Sequence, residues 1–144
     1  MNQVVILYPV FVQVLLTLIV YGLLAVARSR AIAAMDRRSG GADLALGRVV
    51  WPPDAEKRAA NQRNQFELPV LLYAVVAFAL ITKGVDFLML LLAWLFALSR
   101  IVHAAIHVGP NRVRWRSPVF ALGLLILAGM WLKLFFHVLT GGFA

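Results

Sequence analysis

The sequence predicts an all-α membrane protein, a single domain over residues 1–144 built as a bundle of four transmembrane helices. Three observations carry that expectation. Hydrophobic residues make up 62% of the chain and charged residues only 14%, too little charge to cover a soluble domain of this size. Four segments supply the roughly 20 mainly apolar residues that a bilayer crossing needs. The basic residues gather between those segments instead of forming one soluble face, which sets aside nucleic acid as a partner despite the net charge of +8. The absence of Cys excludes a disulfide framework and a thiolate metal site.

The first span covers about residues 4–27. Its start, MNQVVILYPV, lacks the basic region and small-residue cleavage site of a signal peptide, so it is expected to stay as a membrane anchor. A basic loop, 28–60, follows. Asp54, after Trp51-Pro52-Pro53, reads as the N-cap of the next helix. That helix is expected to run through NQRNQFELP, cross the membrane over about 64–82 and stop at Lys83-Gly84, with Gly84 left-handed. Pro69 removes the bond to the Gln65 carbonyl and should kink it. Asp86 is placed to cap a third span at 87–108, and Ser117-Pro118 to start a fourth at 119–139. Lipid cannot satisfy open backbone groups, so all four spans should be helical.

Lys and Arg counts orient the bundle. The first loop holds Arg28, Arg30, Arg37, Arg38, Arg48, Lys57 and Arg58, and the last holds Arg112, Arg114 and Arg116. The link between the second and third spans has only Lys83 beside Asp86. Both basic loops should therefore face the cytoplasm and both termini the outside. Lys133 and His137, near the outer end of the fourth span, fit snorkelling side chains.

Several polar residues lie within the apolar spans. Glu67 is one turn beyond Arg63, roughly 6 Å deeper, and Arg100 lies roughly 12 Å from the cytoplasmic end of the third span. An unpaired charge at such depth costs on the order of 3 kcal/mol, and a Glu67–Arg100 pair is the simplest remedy. Asn61, Asn64 and Glu67 are spaced by three and should share one helix side. Arg100, His103 and His107 form a second stripe, followed by the three arginines at the rim. Together they describe a cationic cavity open to the cytoplasmic side. The same residues also fit plainer roles: Asn61 as a solvated headgroup residue, Glu67–Arg100 as a structural ion pair, and the rim arginines as topology markers. His103 and His107 have metal-ligand spacing but no third ligand beside them, so no metal is expected.

The constellation resembles the MAPEG family, the membrane-associated proteins in eicosanoid and glutathione metabolism, over about residues 4–140. The resemblance rests on Asn64-Gln65-Phe66-Glu67, which fits the family's Asn-x-x-Glu, on Arg100, and on the arginines before the fourth span. It is to bacterial members carrying RNQFELPVL (Arg63 to Leu71), then His103-x-x-x-His107, then Asn111-Arg112-Val113-x-x-Arg116. It implies a bacterial inner-membrane protein that assembles as a homotrimer, with glutathione held between subunits. By the same resemblance Asn64 and Glu67 are glutathione contacts, and Arg100 is a polar wall residue. Asn61, His103 and His107 accompany them in the cleft. One of Arg112, Arg114 or Arg116 stabilises the thiolate, the nucleophilic form of the thiol. Two departures stand out. Ala60 occupies the position of a usual Arg, and His103 and His107 appear where tyrosines are usual.

Two functions follow as expectations. One is a glutathione-dependent transferase or peroxidase acting on a lipophilic substrate. The other is a non-enzymatic membrane protein that holds a lipid or other lipophile in the same pocket.

Overall fold

The computed structural model describes residues 2–35, 43–44, 46–109 and 112–141. Arg37, Arg38 and Asn111 lie outside them. Helix is the only regular structure among the described residues. Helix α1 (Leu7–Ala33) follows a 3-10 turn at Gln3–Ile6, whose Asn2 side chain accepts the Val4 N–H. The second span consists of two helices, α2 (Pro53–Asn64) and α3 (Leu68–Ile81). Helices α4 (Phe87–Val108) and α5 (Val113–Leu139) complete the bundle. Four helical stretches, Gln3–Ala33, Pro53–Ile81, Phe87–Val108 and Val113–Leu139, are long and apolar enough to cross a membrane.

The boundaries reflect local chemistry and correct several expectations. Asp86 caps α4 as expected, accepting the Met89 N–H at 2.8 Å. Asp54 does not cap α2. Pro52 takes that position, and the Asp54 carboxylate pairs instead with Arg58 Nε at 2.9 Å, one turn on. Nor does Ser117 cap the last helix. Arg112 is its N-cap, and α5 begins at Val113 with Pro118 inside it. A proline there deprives only the Arg114 carbonyl of its helical partner, in an exposed turn where water can replace it.

At the end of α3, Lys83 rather than Gly84 is left-handed, at φ 54°. The Gly84 N–H bonds to the Ala79 carbonyl at 2.7 Å and the Lys83 N–H to the Leu80 carbonyl at 3.3 Å, a Schellman closure. Gly84 answers a need for space instead. A Cβ there would sit 2.7 Å from the His137 ring, whose Nε2 bonds to the Thr82 carbonyl at 2.9 Å. Lys133 pairs with Asp86 at 2.9 Å. His137 and Lys133 thus tie α5 to the turn before α4, beyond mere snorkelling.

The interior divides along the bundle. Away from the basic loops it is apolar, with Leu72, Val76, Met89, Phe96, Leu127 and Met130 packed between α3, α4 and α5. Toward the basic end it is polar, with Gln13, Asn61, Gln65, Arg100, His103 and His107 all at most 2% exposed. Gly123 lets α5 approach α4 closely, since a Cβ would stand 3.0 Å from Ser99 Oγ. Large side chains such as Phe11, Leu18, Leu125 and Phe135 face outward, an apolar exterior that needs lipid around it.

Candidate functional site

The site begins with a helix that stops early. Pro69 has no N–H, and its ring would collide with the Gln65 carbonyl if α2 continued. Here the chain breaks instead of kinking, with residues 65–67 outside both helices. Gln65 and Phe66 turn their N–H groups back to the Gln62 and Arg63 carbonyls at 3.0 and 2.9 Å, the tighter closure common at helix ends. Glu67, at φ −93° and ψ −98°, then leads into α3 without a side-chain cap.

The break changes which groups meet. The Asn64 carbonyl, freed at the end of α2, accepts Arg100 Nη2 at 2.9 Å. Arg100 is 1% exposed, and its Nε and Nη1 have no partner among the described residues. Glu67, by contrast, is exposed. The expected Glu67–Arg100 ion pair is not formed among the described residues. A continuous helix would hold Glu67 in register with Asn61 and Asn64, and the three non-helical residues remove it from that register.

Asn64 and Glu67 join His103, Arg116, Ser117 and Phe120 around a cleft of about 250 Å³. Phe120 forms its apolar floor, with its ring centroid 5.8 Å from the Arg100 guanidinium carbon and 5.7 Å from the His103 ring. Arg116 Nη1 lies 3.1 Å from His107 Nε2. Arg can only donate, so that nitrogen carries the lone pair and the His107 proton sits on Nδ1. The Nδ1 atoms of His103 and His107 are both buried, with no hydrogen-bond partner among the described residues. No group of three His, Asp or Glu among the described residues is placed to hold a metal.

Each residue singled out in the sequence can now be located. Asn64, Glu67, His103 and Arg116 line the cleft, and Arg100 and His107 stand directly behind it. Asn61 turns into the bundle, where its Oδ1 accepts Gln65 Nε2 at 3.4 Å. Arg112 and Arg114 are exposed, with the Arg114 guanidinium over Trp115 at 5.2 Å. The rim arginines thus separate, and only Arg116 faces inward. Arg58 is paired with Asp54, and Arg63 is exposed.

The sequence reading missed two features. One is Gln13, fully buried on α1, which donates to Gln65 Oε1 at 2.9 Å. Its signal was a lone amide inside an apolar run. The other is a second cleft of about 310 Å³ between α1 and α2, where Arg30, Asp54 and Arg58 meet Ile19, Gly22 and Val26.

No curated protein and no solved structure gives a match. The sequence model of the MAPEG family matches residues 6–136, nearly the whole chain. Four apolar spans, a polar break in the second and this match together make the chain an integral membrane protein that belongs to the MAPEG family.

Proposed function

We propose that the protein is a glutathione-dependent transferase or peroxidase for lipophilic substrates, working at the cleft beside the α2/α3 break. The observation that carries this reading is a buried arginine, Arg100, with two nitrogens, Nε and Nη1, that have no partner among the described residues, behind a cleft lined by a second arginine, Arg116. Donors without acceptors in a dry interior call for an anion. Glutathione fits the donor set. Its two carboxylates suit Arg100, Arg116 and the Asn64 amide, and its ammonium suits Glu67. When bound it supplies a thiol, and a neighbouring cation favours the thiolate. Arg116 is the arginine in position for that role, while Phe120 and the surrounding lipid offer the apolar side of the cleft to the second substrate.

In this reading the protein is a homotrimer in the bacterial inner membrane. The cleft is closed by a neighbouring subunit, the basic loops are cytoplasmic and both termini are outside. Ala60 favours one alternative, since it removes a cation that glutathione-using relatives usually have. The pocket would then hold a lipid or other lipophile without turnover.

Calorimetric titration of glutathione into the detergent-purified protein separates the two. Saturable binding is expected, weakened at least about tenfold, or about 1.4 kcal/mol, by Glu67→Gln or Arg116→Ala and unchanged by Arg114→Ala. Absence of heat at millimolar glutathione would retire the glutathione reading and leave the lipophile.

A further inference from the structure

We infer that Gln13, on the first helix, is a positioning residue for the cleft, acting through Gln65 in the break of the second span. The inference rests on the proposed use of Asn64 and Glu67 as ligand contacts. Residues 65–67 lie outside both helices, so the helical ladder does not fix the backbone between those two side chains. Something else has to hold it. From one side Arg100 grips the Asn64 carbonyl at 2.9 Å. From the other, Gln13 Nε2 donates to Gln65 Oε1 at 2.9 Å, and Gln65 Nε2 reaches Asn61 Oδ1 at 3.4 Å.

Gln13, Gln65 and Asn61 are each at most 1% exposed, out of reach of bulk water. An amide in such surroundings keeps the partner it has, because leaving it means an unsatisfied buried group. A chain of buried amides of this kind fixes orientation more than it adds net stability. Helix α1 also meets the segment farther along. Gln62 Nε2 donates to Tyr21 Oη at 2.9 Å, and the Tyr21 and Phe66 rings meet edge to face at 6.0 Å. Those contacts lie at exposed side chains. The Gln13 bond is the buried one, and it acts on the residue between Asn64 and Phe66. Losing it frees Gln65 to turn and lets Glu67 leave the cleft.

The test uses the full chain with Gln13→Leu, which keeps the bulk and removes the amide, and with Gln65→Leu, which removes the same bond from its other end. Leu134→Ala is the control, because Leu134 is a buried α5 residue beside Lys133, which pairs with Asp86 at the opposite end of the bundle. Two quantities are read: amide hydrogen exchange of residues 65–68, and glutathione affinity by calorimetry. Either leucine variant is expected to speed exchange at 65–68 about tenfold with the other helices unchanged, and to weaken glutathione about tenfold. The double variant should be no worse than the singles, as for two ends of one bond. Leu134→Ala should lower the melting temperature and leave both readouts alone. Wild-type exchange at 65–68 in the leucine variants, or a uniform rise through every helix, would overturn the positioning role. Faster exchange at 65–68 in a protein whose wild type takes no glutathione would sustain the anchor and overturn the proposed ligand.

Discussion

Arg100 carries the sharpest opposition between stability and function. Its charge is buried with no ion pair among the described residues, which costs on the order of 3 kcal/mol within a bilayer. Its one bond satisfies the Asn64 carbonyl, and an unsatisfied buried acceptor costs about 1–3 kcal/mol. The two magnitudes nearly offset. Arg100→Leu should therefore leave unfolding within about 1 kcal/mol of wild type while abolishing glutathione binding. A large loss of stability in that variant would make Arg100 a structural residue instead. The sequence shows the stripe of Arg100, His103 and His107 because all three lie on one unbroken helix, where spacing fixes the face. It does not show how Glu67 stands to Arg100, since that depends on a backbone break with no periodicity. Gln13 and Gln65 are 52 positions apart, and no local pattern joins them.

Among the elements, the span at 87–108 matches α4 residue for residue, because a strong cap at Asp86 and the apolar run agree. The second span was legible in its position but not in its continuity. Proline at 69 announces a disturbance, but a proline alone is compatible with either a kink or a break. The α3–α4 turn offers a pH test outside the membrane spans. Partial burial works to raise the Asp86 pKa, but the Met89 N–H and the Lys133 ammonium outweigh it and hold it below the ordinary 3.8. A lowered carboxylate pKa means stability that is complete above the unfolded value and lost as pH falls through the folded one. Asp86 is more than half exposed, so the effect should be below about 1 kcal/mol. In melts taken from about pH 5 down to about pH 2, Asp86→Asn should lose less stability than wild type, because the amide keeps an acceptor but does not titrate. Parallel acid profiles for the two proteins would show that the Lys133–Asp86 pair contributes nothing.

Across the whole molecule, an apolar interior at one end and a polar one at the other give the bundle a direction. The cleft opens in the polar half, where a water-soluble anion and a membrane-dissolved molecule can meet. The composition already implied a four-span protein, since lipid must cover what charge does not. Its orientation rests on the arginine-rich loops, and the absence of native Cys makes it simple to test. An impermeant maleimide added to intact cells should label Thr140→Cys, and should label Arg48→Cys only after permeabilisation. The reverse pattern would place the cleft mouth on the outer side.

The most direct measurement is the ultraviolet thiolate band that appears when glutathione is added at neutral pH to wild type, Arg114→Ala and Arg116→Ala. If the inward-facing arginine stabilises the thiolate, the band forms in wild type and Arg114→Ala and is absent from Arg116→Ala. A full band in Arg116→Ala, or none in wild type, would contradict the assignment of this cleft as a glutathione site.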